Sequence, residues 1–293
     1  LMPGIIFLLG LVLAVWAIRG MADFVRGLRE QPTTYAYIAP VLLAMAAVIF
    51  YPFLKGVEFA FLDASAQDFV GLANFQDVLM PSATGQTNFY FTLGVTVMWT
   101  VLNVVLHVSI GLFLALLLNN EKLRFKGIYR VLLIIPWAVP NYITALTWKT
   151  MFNTQFGAVN AILQSVGIAS IDWLGQSFWT NFAAVLITNV WLGFPFMMVI
   201  SLGALQSIPL DLYEAADIDG ASRFQKFRTI TLPLLKPALF PAIILGTIWT
   251  FNQFNVIYLV SGGGPDNKTQ ILITEAYRLF KVLNQYGLAA AYC

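Results

Sequence analysis

Residues Pro209–Pro237 read PLDLYEAADIDGASRFQKFRTITLPLLKP, a charged island between Phe178–Leu205 and Ala238–Leu259, two stretches that contain no Lys, Arg, Asp or Glu. Leu210–Asp219 are good helix formers, Pro209 suits a first helical position, and acidic residues occupy the first turns. Gly220 falls where a helix end turns left-handed. A second short helix is predicted from Ala221 to Ile230, with Pro233 as its stop. Two short helices joined at a glycine form a knob too small for an enzyme and shaped for a groove. Ala215 and Ala216 let another backbone come close, while Phe224 and Phe227 supply apolar anchors. An ordinary helical surface hairpin fits the same residues.

Outward from this island, charge-free apolar stretches recur. Met2–Ile18, Tyr35–Leu54, Phe89–Leu118, Val131–Trp148, Phe178–Leu205 and Ala238–Leu259 make six, each near the ~20 residues that span a bilayer. A charge at mid-bilayer costs at least ~2.5–3.5 kcal/mol, which explains the absence of Lys, Arg, Asp and Glu. Phe89–Leu118 would measure about 45 Å as a helix, longer than the ~30 Å hydrocarbon core, so it must tilt or protrude. Across the 293 residues 59% are hydrophobic and 10% charged, against ~45–50% and ~25% in soluble domains. Mean hydropathy is +0.77. These values exclude a soluble enzyme, a disordered chain and a disulfide scaffold. The net charge of +2 gives no argument for nucleic acid, and the lone Cys293 and single histidine give none for a metal cluster.

Basic residues set the orientation. Arg19, Arg26, Arg29, Lys122, Arg124, Lys126, Arg130, Arg223, Lys226, Arg228 and Lys236 occupy loops 19–34, 119–130 and 206–237, eleven in all. The alternate loops carry five: Lys55, Lys149, Lys268, Arg278 and Lys281. The richer set is expected in the cytoplasm, so the first span runs outside to inside. The opening run lacks the basic start and cleavage site of a signal peptide and is read as a span. Gly287–Cys293 reads as the first turn of a truncated seventh helix.

Glu214-Ala215-Ala216, three residues, Gly220, nine residues, Ile230, one residue and Leu232-Pro233 resemble the EAA motif of binding-protein-dependent ABC importers, including the triplet Asp219-Gly220-Ala221. Tyr129–Pro140, Phe152–Gly157, Trp191–Pro195 and Gly263–Asp266 are similar to sugar permeases. The resemblance covers roughly residues 35–293, and the extra span before Tyr35 is similar to the MalF-type membrane subunit of maltose and trehalose importers. It implies an all-α polytopic bundle of the type I importer kind, with an N-terminal span and linker (1–34) ahead of a transmembrane domain (35–293). It also implies a permease for a di- or oligosaccharide with no chemistry of its own. ATP and magnesium would be bound by two partner ATPase subunits, one docking on the elbow at Glu214. A second related permease and an external sugar-binding protein complete the expected assembly. One departure is the loop 55–88, too short for the folded domain that some MalF proteins insert there.

A sugar path needs hydrogen-bonding groups and aromatic faces. Asn189, Leu192, Gly193 and Phe196 share one helical face of the fifth span, and Gly246, Trp249, Thr250 and Gln253 have the same spacing in the sixth. Stripes of this kind also simply pack membrane helices. By resemblance, these eight positions correspond to those lining the sugar site of MalF-type subunits. Asn103 and His107 face one way on the third span, where a neutral His bonded to a neighbouring helix is the expected arrangement. Pro136 and Pro140 are expected to bend the fourth span, and Gly262–Thr269 to form a turn rather than a phosphate loop. An ion-coupled transporter would need intramembrane acids or lysines, and a membrane glycosyltransferase would need clustered carboxylates at a water interface. The spans have none of the former, and the sole acidic cluster (Asp211, Glu214, Asp217, Asp219) is on the elbow.

Overall fold

The computed structural model describes residues 20, 23, 24, 26, 27, 29–80, 88–120, 122–175 and 177–293; the predicted span Met2–Ile18 lies outside them. The chain divides into two compact units, Leu1–Phe59 and Ala60–Cys293. In the first, α1 (Pro32–Phe59) is long and apolar enough to cross a bilayer, and none of its side chains is buried. Its middle, Ala46–Phe50, widens into a π turn just ahead of Pro52.

The second unit contains α2 (Ala73–Leu79), α3 (Phe89–Leu118), α4 (Lys126–Ala138), α5 (Asn141–Met151), α6 (Ala158–Ser165) and α7 (Phe178–Gln206). There follow α8 (Asp211–Ile218), α9 (Arg223–Phe251), α10 (Phe254–Val256, continued by a π turn over Ile257–Ser261), α11 (Leu272–Lys281) and α12 (Tyr286–Tyr292). Among the described residues there is no strand. Four of the described helices (α1, α3, α7 and α9) are long and apolar enough to span a membrane, five elements if α4 and α5 count as one bent span.

The α3 helix shows why these sequences fold inside out. Asn88 caps its start, accepting from the Tyr90 N–H at 2.9 Å. Its buried face is rich in polar and small residues, Thr92, Thr96, Thr100, Asn103, His107, Gly111 and Ala115, beside the apolar Val95, Trp99 and Leu118. Val97, Val101, Val105 and Phe113 face outward. With lipid outside, the polar groups belong inside, and each must find a partner there. Thr96 and Thr100 donate to the carbonyls of Thr92 and Thr96 at 2.7 and 2.8 Å, and Asn103 donates to that of Trp99 at 2.8 Å. At Gly111 the backbone of α7 comes so near that a Cβ would lie 2.7 Å from both Met197 Cβ and the Met198 nitrogen. Small residues allow such approaches in membranes, where packing replaces the hydrophobic drive.

Two apolar clusters pack the bundle. One joins Trp99, Phe182, Val185, Ile257 and Ile271; the other joins Ala115, Leu118, Met198, Leu202, Leu235 and Leu239. Along α3 His107 falls between them, and on α7 Leu192 belongs to the first.

Three predicted elements differ in detail. Pro233 does not stop the helix after the elbow: α9 runs on from Arg223 through Pro233, Pro237 and Pro241 to Phe251. A π turn at Phe227–Thr231, closed by the Leu232 N–H on the Phe227 carbonyl, precedes the proline and removes the demand for its missing donor. The same order of π turn, one residue and proline occurs in α1. The predicted sixth span, Ala238–Leu259, breaks at Asn252-Gln253, where Gln253 adopts φ −76° and ψ 85°. The fourth span is bent at Pro140, as expected, but so sharply that it forms two helices at 93°, while Pro136 is buried inside α4.

Candidate functional site

A cavity of about 510 Å³ opens where α3, α4, α7 and α9 converge, within the ~300–1,000 Å³ of small-ligand sites. Asn189, Leu192, Gly193 and Phe196 enter its wall from α7, where one residue every three or four faces inward. Gly246, Trp249 and Thr250 enter from α9. Gln253 reaches the same wall from the unwound break rather than from a helical face, so all eight positions line one cavity. Spacing on a regular helix gave the right neighbours for Gln253 through the wrong backbone.

The aromatic rings form a chain. Phe196 lies 5.3 Å from Trp249 and 6.3 Å from Trp137, centroid to centroid. Trp249 is 52% exposed and Trp137 54%, so both offer broad faces. The polar groups are tied more tightly. Asn189 Nδ2 donates to Asn103 Oδ1 at 2.9 Å, and Gln253 Nε2 donates to Asn189 Oδ1 at 3.2 Å. His107 Nε2 lies 3.0 Å from the Asn189 carbonyl, as expected of a histidine bonded to a neighbouring helix. The Trp99 indole donates to the Thr250 carbonyl at 3.0 Å, serving an acceptor near the frayed end of α9. Asn189 is therefore a bolt joining α7 to α3 and to the break after α9, and its amide is largely spent on the protein.

His107, Trp137, Asn141 and Met197 also line the cavity and were not among the expected site residues. Asn141 was detectable as a polar residue inside the fourth span. Trp137 was not, because the corner at Pro140 turns it toward a wall that helical periodicity does not connect to it.

The elbow stands apart from the cavity. The α8 helix ends in a Schellman motif: Ala221 N–H donates to the Ala216 carbonyl at 2.9 Å and Gly220 N–H to that of Asp217 at 3.1 Å. Gly220 holds φ at +73°, the left-handed turn expected of it. Ser222 and Gln225 form a capping box that starts α9. A Lys226–Asp217 ion pair at 2.6 Å and a Tyr213–Thr231 hydroxyl contact at 2.8 Å latch the two arms. Glu214, Ala215, Asp219 and Phe224 are exposed, Ala216 and Ala221 partly so, and Phe227 turns half inward. The stretch Gly262–Thr269 is a turn, with positive φ at Gly262, Gly263, Asp266 and Asn267.

Residues 107–293 match the family described as binding-protein-dependent transport system inner membrane component. The galactooligosaccharides transport system permease protein GanP of Bacillus subtilis is 40% identical over 272 residues, covering 88% of this chain and 65% of that protein. The trehalose/maltose transport system permease protein MalF of Thermococcus litoralis is 40% identical over 268 residues, covering 90% and 88%. This chain thus spans just under two thirds of the first of these relatives and most of the second. A bacterial ABC transporter involved in import of the acidic polysaccharide alginate has a similar fold, with a TM-score of 0.78 at 23% identity over 92% of this chain and 91% of that one.

Proposed function

Because this chain belongs to the family of inner membrane components of binding-protein-dependent transport systems, we propose that it is the MalF-type permease subunit of an ATP-driven importer and carries a di- or oligosaccharide through the cavity between α4, α7 and α9. The observation that carries this reading is the wall itself. Three aromatic rings (Trp137, Phe196 and Trp249) stand beside amides and the imidazole of His107. Aromatic faces suit the C–H surface of a pyranose, and amide edges suit its hydroxyls. Among the described residues no lining residue is charged, so the wall suits a neutral polyol.

The energy comes from partners. Two ATPase subunits bind ATP and magnesium, and one of them grips the exposed elbow at Glu214–Ala216, where α8 and α9 meet at Gly220. Because α9 runs unbroken from the second arm of the elbow to Phe251, a push on Phe224 is carried along one helix to Trp249 and Thr250 at the cavity. A second related permease encloses the path, and an external binding protein delivers the sugar. The names of the similar proteins support glucosides such as maltose and trehalose and extend the class to galactooligosaccharides. The test is uptake of maltose, trehalose and a galactooligosaccharide by the complex in proteoliposomes. Trp249→Ala is expected to lower uptake at least tenfold, with the ATPase subunits still co-purifying. Unchanged uptake of every sugar would overturn the proposed site.

A further inference from the structure

His107 is the buried residue of α3 whose ring edges the cavity, and its orientation is fixed from two sides. Nε2 lies 3.0 Å from the Asn189 carbonyl oxygen. A carbonyl only accepts, so Nε2 must carry the hydrogen. Gly193, one turn further along α7, lies flat against the imidazole: a Cβ there would overlap Cε1, Nε2 and Nδ1. The ring can neither flip nor tilt while these contacts hold. With Nε2 protonated, Nδ1 of the neutral ring is a bare acceptor. The neighbouring amides are already engaged, Asn189 with Asn103 and Gln253, and Asn141 Oδ1 with Asn255 Nδ2 at 3.0 Å. A polyol entering this wall brings hydroxyl donors and meets few uncommitted acceptors.

We infer that His107 determines specificity in this cavity, its Nδ1 accepting a hydrogen bond from one hydroxyl of the bound sugar, with Asn189 and Gly193 as the positioning residues that hold the ring in register. This rests on the cavity being a sugar site. The glycine at 193 then has a reason beyond helix packing: it makes room for the imidazole.

The experiment uses the assembled transporter in proteoliposomes with its ATPase subunits and binding protein. Whichever of maltose, trehalose or a galactooligosaccharide is taken up serves as the parent. Competition is measured with its monodeoxy and monodeoxyfluoro derivatives, since a fluorine can accept but cannot donate. Wild type is expected to discriminate against both derivatives at one ring position by about three- to tenfold, the worth of one net hydrogen bond. His107→Phe, which keeps the ring shape, is expected to abolish the discrimination at that position alone. His107→Gln, whose amide can still donate to the Asn189 carbonyl while its Oε1 remains an acceptor, is expected to keep part of the discrimination and guards against a folding defect. Selectivity contributed by the binding protein is common to all variants and cancels. An identical pattern of derivative competition in wild type and both variants overturns the role of Nδ1 and leaves the sugar site standing. If none of the three sugars is taken up by wild type, the sugar reading falls, and this inference with it.

Discussion

Asn189 was expected to face a sugar; it lines the cavity, and its side chain also bonds Asn103 and Gln253 while its carbonyl engages His107. It is 3% exposed, so little of its amide is left for a ligand. A polar group in hydrocarbon must be satisfied before it can be useful, and the nearest partners are other helices. The divided labour at this level leads to a prediction about Gly193. Gly193→Ala drives a methyl group into the imidazole of His107, so uptake and thermal midpoint should both fall. Adding His107→Ala clears the space and should restore much of the midpoint without restoring uptake. Thermal unfolding of the two variants checks the first effect, and sugar transport checks the second. Strict additivity of the two losses would mean that the ring and the glycine are not in contact.

Among the helices, the α3–α7 crossing sets the separation on which the cavity depends. Gly111 meets Met197 Cβ and the Met198 backbone there, and neither is the free end of a flexible chain. Gly111→Leu cannot be absorbed by a rotamer change, so the helices must part. The variant is expected to reach the membrane but lose on the order of 1–3 kcal/mol of stability, read as a lower aggregation temperature of the purified complex. A midpoint equal to wild type would show that the crossing is looser than the geometry implies. Gly246 offers a contrast, because a Cβ there would meet only the terminal methyl group of Met197 at 2.8 Å. Prolines likewise act through their surroundings. Pro140 makes a 93° corner, whereas Pro233 passes unnoticed behind a π turn. A rule that stops a helix at every proline handles the first and fails on the second, because the missing donor matters only where the ladder would have used it.

For the whole molecule, the elbow and the cavity lie at different levels of one continuous element, α9. Glu214 is exposed at the elbow, so reversing its charge disturbs no packing. Glu214→Lys is therefore expected to leave membrane insertion and thermal midpoint unchanged and to remove ATPase co-purification. Normal association in a pull-down would dissociate the elbow from energy coupling. Charge-free stretches located the apolar helices but not all their ends and breaks, since the price of a charge in lipid acts on each residue separately. Phe89–Leu118 was predicted residue for residue on that ground. The elbow was equally legible, because a Schellman turn and its glycine are local chemistry. The eight cavity residues were legible through spacing and resemblance together, but their separate roles were not. Which amides are spent on neighbours, why position 193 has no side chain, and how Trp137 and His107 come to share a wall with Gln253 depend on contacts between residues tens of positions apart. Such contacts are made by helix crossings and by breaks at Pro140 and Asn252, and no periodicity along a single strand of sequence encodes the distance between two helices.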